Sequence, residues 1–180
     1  VYAGEIGVHL HNDFGMATAG AISAIQAGAG WADVSLLGLG ERAGIARLEE
    51  VCGWLTLQGD ADYDLHAIRD IAHRLADWID RPVPAQAPLI GADIFTAESG
   101  LHVAGLVRDP GTYEPYAPEI VGATRTLRLG RNSGRAAVAA LLPDPGDDLT
   151  ATAARIRATA STQRHALDET DFSTLSENSA

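Results

Sequence analysis

The sequence predicts an α/β fold in which short parallel strands alternate with helices. Two strand patterns, over residues 7–11 and 31–37, are each followed by a helical pattern, over residues 18–29 and 46–57. Short glycine-containing turns join these segments, and this strand–helix–strand–helix order makes parallel strands with a right-handed crossover. Chemistry in such folds collects where strands end. The polar residues that follow each strand are therefore the first candidates for a functional site.

The first strand pattern carries histidines at alternate positions. Side chains two residues apart on a strand point to the same side, so Val8 and Leu10 share one face. His9 and His11 share the other face, with Cα atoms roughly 6.5–7 Å apart. Two imidazole nitrogens at that spacing can each reach one divalent cation at about 2.0–2.2 Å. The pattern favours a metal site, and two hydrogen-bonded histidines in a sheet are the alternative.

A glycine-rich turn, Gly38-Leu39-Gly40-Glu41-Arg42-Ala43-Gly44, follows the second strand pattern. Glu41 and Arg42 therefore come after one strand, as Asn12 and Asp13 come after the other. Both groups lie where functional residues collect in folds of this class. The Gly-Leu-Gly of this turn is by itself weak evidence for phosphate binding.

Composition is that of an ordinary globular protein and excludes several functions. Of the 180 residues, 46% are hydrophobic and 21% are charged, and no apolar run approaches the ~20 residues of a membrane span. A net charge of −11 argues against nonspecific nucleic-acid binding, which needs a basic surface. The single cysteine, Cys52, excludes a disulfide framework. We expect a cytoplasmic protein that binds neither nucleic acid nor membrane.

The middle of the chain predicts an amphipathic helix and a proline-containing linker. Apolar residues recur at helical spacing over residues 64–79, and Asp64 is a suitable N-cap. His66 and His73 lie along this helix, and we interpret both as solvated or capping residues. Three prolines within residues 82–88 predict an extended linker.

The last half of the chain carries a second set of polar residues. Residues 89–95 predict an extended segment, and residues 100–107 predict a short helix that holds His102. From its type alone, His102 is a packed or capping residue, or a group that takes and returns a proton, because imidazole titrates near neutral pH. Two further helices are predicted over residues 134–142 and 149–166.

Several long motifs resemble the DRE-TIM metallolyases. The stretch GVHLHNDFGMATAGAISAIQAGA, followed by GLGERAGIARLEEV, is similar to the last two βα units of that family. The family holds homocitrate synthase, 2-isopropylmalate synthase, citramalate synthase and hydroxymethylglutaryl-CoA lyase. The later stretches AESGLHVAGLVRDPGTYEPYAPEIVG and LRLGRNSGRAAV resemble the synthase branch, and homocitrate synthases most.

The resemblance implies the C-terminal part of a (β/α)₈ TIM barrel, its last two βα units, followed by small, mainly helical C-terminal subdomains. A complete barrel takes about 250 residues and rarely fewer than about 200. We therefore expect the N-terminal half of the barrel to be on another chain or missing. The expected segments are barrel units over 1–59, a helical linker subdomain over 60–84, and over 85–180 a subdomain that contributes to a partner's active site.

The resemblance also implies an acyltransferase that condenses acetyl-CoA with a 2-oxo acid, as a homocitrate synthase does. His9 and His11 would bind a divalent cation, and Mg²⁺, Mn²⁺ and Zn²⁺ suit such mixed sites. That cation would polarise the ketone of the 2-oxo acid as a Lewis acid. In the family, an acidic residue on the first barrel strand supplies a further ligand, and this chain has no counterpart of that strand.

In the synthases, the histidine that matches His102 enters the neighbouring subunit's barrel as the acid/base of the condensation. His102 and Tyr113 are therefore the expected catalytic residues, with Tyr113 either donating a hydrogen bond near the substrate or forming part of an interface. Glu98 and Ser99 are expected to orient His102 or contact the substrate, although both also suit capping of the following helix. The implied assembly is a homo- or hetero-oligomer, such as a dimer, with swapped C-terminal subdomains, acting in amino-acid biosynthesis.

Two positions depart from the family's pattern. Ile45 stands where many members, including the lyase, have an asparagine, and in the lyase that residue helps to coordinate the metal. Lysine-pathway homocitrate synthases resemble this chain there, so Ile45 argues against the lyase. Arg131 and Asn132 stand where Lys-His is common, so no role of that family histidine carries over.

Three interpretations stay open. The first is the C-terminal part of a homocitrate-synthase-like enzyme. The second is a related synthase that makes 2-isopropylmalate, citramalate or a phosphono analogue. The third is a non-catalytic subunit or degenerate remnant that only associates with other proteins.

Overall fold

The described part of the chain contains six α-helices, three short 3₁₀ helices and four two-residue strands. This part comprises residues 4–98, 100–142 and 145–167 of a computed structural model. Within these ranges, no helix combines the length and apolarity that a bilayer span requires.

The elements divide between two units, each with its own buried core. Unit 1 comprises Val1–Ile94 with Glu119–Gly122, and unit 2 comprises Phe95–Pro118 with Ala123–Ala180. The division into three segments over 1–59, 60–84 and 85–180 stays a prediction.

Unit 1 opens with a strand–helix–strand repeat that two further helices follow. Its elements are β1 (Gly7–Val8), α1 (Ala17–Gln26), β2 (Trp31–Ala32), α2 (Leu48–Gln58) and α3 (Leu65–Trp78). Strands β1 and β2 pair in parallel, with Gly7 opposite Trp31. The predicted α/β class and the parallel order of the strands are confirmed, and both predicted helices are present with slightly shifted ends.

Small side chains let α1 pack closely on the strand pair. Ala17 and Ala21 on α1 are 2% and 1% exposed, and they form one core with Ala46 and Val51. Leu10, just beyond β1, packs against this core. The apolar side of the His-x-His segment therefore faces inward, as the alternation of side chains predicts.

The second strand ends at Ala32, so the predicted strand over residues 31–37 is wrong from residue 33 onward. Leu36–Gly38 instead form a 3₁₀ turn. Leu37 adopts a left-handed φ of 58°, and its N–H donates a 3.1 Å hydrogen bond to the carboxylate of Glu49. This contact with a residue twelve positions away holds the turn at Leu37, and side-chain alternation cannot reveal it.

Helix α3 begins where the sequence predicts. The carboxylate of Asp64 accepts a hydrogen bond from the N–H of Ala67, as an N-cap does. His66 Nε2 lies 2.6 Å from the carbonyl of Glu119, and His73 Nε2 lies 2.9 Å from the carbonyl of Ile90. Both histidines are therefore satisfied by backbone oxygens of other segments.

Residues 89–95 form turns, so the expectation of an extended segment is wrong there. Leu89 has a φ of 65°, and the N–H of Gly91 donates to the carbonyl of Ala87. Arg69 on α3 donates to the carbonyls of Leu89 and Gly91. These bonds hold the segment against α3, with Ile90 only 1% exposed.

Unit 2 is mainly helical around a short parallel strand pair. Its elements are β3 (Thr96–Ala97), α4 (Gly100–Arg108), β4 (Thr126–Leu127), α5 (Arg135–Leu141) and α6 (Leu149–Gln163). All three predicted helices are present, and β3 pairs with β4. An antiparallel bridge joins Leu129 to Leu167, and both side chains are 0% exposed.

Candidate active-site residues

Two histidine rings converge at the end of β1. His9 Nε2 lies 3.3 Å from His11 Nε2, and the ring centroids are 5.1 Å apart. Two bare imidazole nitrogens this close repel each other unless a proton or a cation lies between them. Both nitrogens can lie about 2.1 Å from one shared cation. The arrangement therefore fits a metal and also fits a hydrogen bond between the rings.

Asp33 fixes the orientation of the first of these rings. Its Oδ2 lies 3.0 Å from His9 Nδ1, so the carboxylate favours the tautomer in which Nδ1 carries the proton. That tautomer leaves His9 Nε2 bare and directed at His11. Metal-binding histidines are commonly held in this way by a carboxylate. The site also stays open, since the side chains of His9 and Asp33 are 53% and 69% exposed.

His11 is held through its backbone. It forms an antiparallel bridge with Ile45, and the neighbouring N–H of Asn12 donates to the carbonyl of Gly44 at 2.8 Å. His11 Nδ1 is buried without a hydrogen-bond partner in the described part of the chain. The bridge brings residue 45 opposite His11, and the apolar side chain of Ile45 supplies no ligand there.

The described residues contain no group of three or more histidine, cysteine, aspartate and glutamate side chains arranged to hold a metal. His9 and His11 therefore provide a pair of nitrogen ligands with one supporting carboxylate. A pair leaves most coordination positions of a divalent cation open. Such a pair fits a metal that also binds a substrate and a ligand from another segment.

The Gly38–Gly44 turn closes over the residues that follow β1. Arg42 donates to both carboxylate oxygens of Asp13, with an Nη2–Oδ2 distance of 2.8 Å. This pair lowers the pKa of Asp13 and raises that of Arg42. Gly44 has a φ of 82°, and a Cβ there would collide with the carbonyl oxygen of Gly38. The tight turn thus requires glycine at position 44.

Glu49, in the first turn of α2, bonds to Leu37, the residue directly before the Gly38–Gly44 turn. It is 1% exposed, and burial raises the pKa of its carboxyl group. One oxygen accepts from the N–H of Leu37, and the other lies 3.5 Å from Arg47 Nη1 without a hydrogen bond. Neither Glu49 nor Asp33 was among the site residues predicted from the sequence. The position of Asp33 just after β2, beside the end of β1, was a signal for it.

The second set of predicted residues lies in unit 2. His102, on α4, stacks against Tyr113, with ring centroids 4.4 Å apart and ring planes inclined by 31°. His102 is exposed and Tyr113 is 48% exposed. A short 3₁₀ turn over Pro110–Thr112, capped by Asp109, presents the tyrosine. The structure therefore brings the two expected catalytic residues together on an accessible surface.

The remaining two predicted site residues have different outcomes. Ser99 lies outside the described residues. Glu98 is half-buried, and its Oε1 accepts a hydrogen bond from the N–H of Asn132 at 3.4 Å. Its backbone carbonyl accepts from the hydroxyl of Ser133. Glu98 thus contacts the loop after β4, and its role toward a substrate stays a prediction.

Two family models match this chain. The HMGL-like model matches residues 2–75, and the model described as homocitrate synthase post-HMGL domain-like matches residues 89–170. The first match contains His9, His11 and Asp33, and the second contains His102 and Tyr113.

Curated relatives agree with these models. A homocitrate synthase of Frankia alni is 46% identical over 133 residues, which are 73% of this chain and 38% of the relative. A homocitrate synthase of Frankia sp. (strain FaC1) is 40% identical over 173 residues, 92% of this chain and 42% of the relative. A 2-isopropylmalate synthase of Caldanaerobacter subterraneus is 42% identical over 148 residues, 81% of this chain and 38% of the relative. The matched stretches thus span 42% or less of these relatives.

Proposed function

Because the chain belongs to the DRE-TIM metallolyase family, in the branch of homocitrate and 2-isopropylmalate synthases, we propose that it is part of an enzyme that condenses acetyl-CoA with a 2-oxo acid. The observation that carries the proposal is the convergence of His9 Nε2 and His11 Nε2 at 3.3 Å. The pairing of His102 with Tyr113 supports it independently.

Unit 1 would supply the last two βα units of a TIM barrel. Its two-stranded sheet leaves strand edges unpaired, and a strand pair with so small a core is marginal by itself. Large apolar side chains beside the sheet are exposed, among them Phe14 at 88% and Trp31 at 65%. In this proposal the other barrel strands, from another chain or another part of the same chain, cover this surface.

His9 and His11 would hold a divalent cation, with Mg²⁺, Mn²⁺ and Zn²⁺ as the candidates. When bound, the cation would supply Lewis-acid polarisation of the ketone of the 2-oxo acid. Asp33 would keep His9 Nε2 free of a proton and directed toward His11. A carboxylate from outside this chain would complete the protein ligands.

His102 would transfer the proton and Tyr113 would position the reacting groups. In the condensation, a base takes a proton from the methyl group of acetyl-CoA, and the resulting enolate carbon attacks the ketone carbon. The ketone oxygen then takes up a proton, and water cleaves the thioester to release CoA. Imidazole suits both proton transfers near neutral pH, and the phenol of Tyr113, stacked on that ring, can donate a hydrogen bond to substrate oxygen.

We propose that unit 2 acts in the barrel of a neighbouring subunit. His102 and Tyr113 are exposed, as residues that complete a partner's site must be. The assembly would be a homo- or hetero-oligomer with swapped C-terminal subdomains, working in the cytoplasm in amino-acid biosynthesis.

The second candidate is a synthase of the same branch with another 2-oxo acid. Relatives named putative (R)-citramalate synthase and 2-isopropylmalate synthase are 43% and 42% identical to this chain, so 2-isopropylmalate, citramalate and phosphono products are alternatives. Ile45 opposite His11 favours a synthase over the lyase, since isoleucine cannot ligate a metal. A non-catalytic subunit is the alternative from another class.

The test is reconstitution. The chain is combined with the polypeptide that supplies the rest of the barrel, and acetyl-CoA-dependent CoA release is measured with 2-oxoglutarate and a panel of other 2-oxo acids. We expect turnover with at least one 2-oxo acid, lost in a His9→Ala/His11→Ala variant and kept in His66→Gln, which replaces a histidine bonded to a backbone carbonyl. Absence of turnover with every 2-oxo acid would refute the proposal.

A further inference from the structure

A polar cavity of about 110 Å³ lies in unit 2 between the loop after β4 and the end of α6. It is lined by Glu98, Arg131, Arg164, His165 and Ala166. The condensation mechanism uses none of the positive charges in this cavity. His102 and Tyr113 are not among its lining residues.

Two exposed arginines, Arg131 and Arg164, line this cavity, and neither guanidinium group has a partner among the described residues. Neither Arg131 nor Arg164 has an ion pair or a hydrogen bond in the described part of the chain, whereas Arg125 in the same unit binds both carboxylate oxygens of Glu114. Glu98 also lines the cavity, yet it pairs with neither arginine. Arginine clusters left unpaired beside a concave surface are typical of oxyanion sites, because the guanidinium fork matches carboxylate and phosphate geometry.

Several contacts hold the cavity walls in place. Two backbone hydrogen bonds join Leu129, just before the 130–134 loop, to Leu167, four residues after the end of α6. Arg157 on α6 donates to the carbonyl of Ser133 at 3.1 Å, and the Ser133 hydroxyl accepts from the N–H of Gly130. The two arginines therefore project from backbone segments that are already fixed relative to each other, which lowers the entropic cost of binding.

Residue 164 is placed by an unusual backbone conformation. Arg164 ends α6 with a φ of 62° and a ψ of 20°. A left-handed residue here is normally glycine or asparagine, since other side chains are disfavoured by about 1 kcal/mol or more. An arginine at such a helix end gains from a partner that its charge can bind.

Charge is distributed unevenly between the two units. All thirteen basic residues of the chain are arginines, and eight of them lie in unit 2, which is the smaller share of the chain. Unit 1 carries only five arginines against fourteen carboxylates. Unit 2 carries ten carboxylates against its eight arginines, so it repels an anion far less than unit 1 does, and binding there depends on the local arginines that line the cavity.

We propose that Arg131 and Arg164 form a binding site for a small oxyanion, a carboxylate or phosphate group of a soluble metabolite, at a cavity that neither His102 nor Tyr113 lines. One oxygen edge of the anion bonds to each guanidinium. His165 Nδ1 lies 2.8 Å from the carbonyl of Ala166 and donates to it, and His165 also lines the cavity. Glu98 also lines the cavity, where its carboxylate accepts from the N–H of Asn132, and it favours ligands that also carry a hydrogen-bond donor.

The test titrates two probes, inorganic phosphate and acetate, into the complete chain and follows the amide resonances of Gly130 and Asn132. We expect saturable shifts, with the tighter probe identifying phosphate or carboxylate as the preferred group. Arg131→Gln and Arg164→Gln should each weaken binding about tenfold, since each removes one charge-assisted bond. Arg164→Lys, which keeps the charge, should retain part of the affinity.

The matched control is Arg135→Gln, which removes an exposed arginine of the same unit that does not line the cavity. It should bind phosphate like the parent chain, and Glu98→Gln should bind more tightly because a negative charge is gone. Unsaturable shifts, or equal affinity in Arg131→Gln and Arg135→Gln, would overturn the proposal. Binding that develops only after Asp168→Asn/Glu169→Gln/Asp171→Asn would also overturn it, because the arginines would then serve the chain's own acidic segment.

Discussion

The carboxylate of Asp33 lies 3.0 Å from Nδ1 of His9. The other ring nitrogen of His9, Nε2, faces His11. The two residues come from the ends of adjacent parallel strands, which explains why residues far apart in sequence meet. Asp33 thereby decides which nitrogen of His9 carries a lone pair toward a ligand. This relationship turns two neighbouring histidines into an oriented pair.

Replacing Asp33 by asparagine should weaken metal binding. The amide cannot stabilise the Nδ1 proton as a carboxylate does, so the affinity of the assembled protein for Mn²⁺ should fall about 10- to 100-fold. Asp77→Asn, an exposed change on α3, is the matched control. Isothermal titration with Mn²⁺ measures both, and equal affinities would show that Asp33 has no positioning role.

His102→Gln should lower the turnover of the reconstituted enzyme by roughly 10²–10⁴-fold, as loss of a general acid/base does. Tyr113→Phe should lower it less, since it removes one hydrogen bond and keeps the ring against His102. Steady-state kinetics with KM and kcat resolved provide the measurement. An unchanged kcat in His102→Gln would remove this residue from the chemistry.

Glu49 should make the stability of unit 1 depend on pH. Burial raises the pKa of its carboxyl group above the ordinary 4.5, so the folded state binds the proton more tightly than the unfolded state does. Stability attributable to this group is therefore present below about pH 4.5 and is lost as pH rises toward the raised folded pKa.

Glu49→Gln removes this titration while keeping an oxygen for the N–H of Leu37. The stability of the variant relative to the parent should increase as pH rises above about 4.5. Urea unfolding at several pH values measures it, with Glu50→Gln as the control on the same helix turn. A difference that does not vary with pH would contradict the assignment.

Leu129→Ala should destabilise unit 2 strongly. This side chain is 0% exposed at the centre of the unit's core, and leucine-to-alanine changes at such positions cost about 2–5 kcal/mol. Val107→Ala, at a side chain that is 59% exposed on α4, should cost much less. Denaturant unfolding distinguishes the two, and similar losses would mean that this core is not formed in solution.

Local sequence patterns predicted most of the helices, because periodicity and capping are local properties, but of the first strand, predicted over residues 7–11, only Gly7–Val8 are a strand. Asp64 and the apolar spacing of residues 64–79 located α3 nearly to the residue. The strand over residues 31–37 failed because the buried carboxylate of Glu49 binds the N–H of Leu37 and stabilises a left-handed turn. Such a contact depends on tertiary packing that propensity cannot express.

The sequence predicted the two histidines of the candidate site, but it did not predict the carboxylates that support them. The spacing of His9 and His11 on one strand indicated that their rings would meet, and their Nε2 atoms do. Asp33 was missed because its role depends on the register between β1 and β2. The register between two strands is set by how they pair in space, so it cannot be predicted from the pattern of one segment alone.

The central claim is that His9 and His11 together bind a divalent cation, and direct measurement of Mn²⁺ binding to the assembled protein tests it. We expect saturable binding of Mn²⁺ in the parent and in His66→Gln, and loss of that binding in His9→Ala/His11→Ala. Equal Mn²⁺ affinity in the parent and in the double variant would show that these two histidines do not bind the cation.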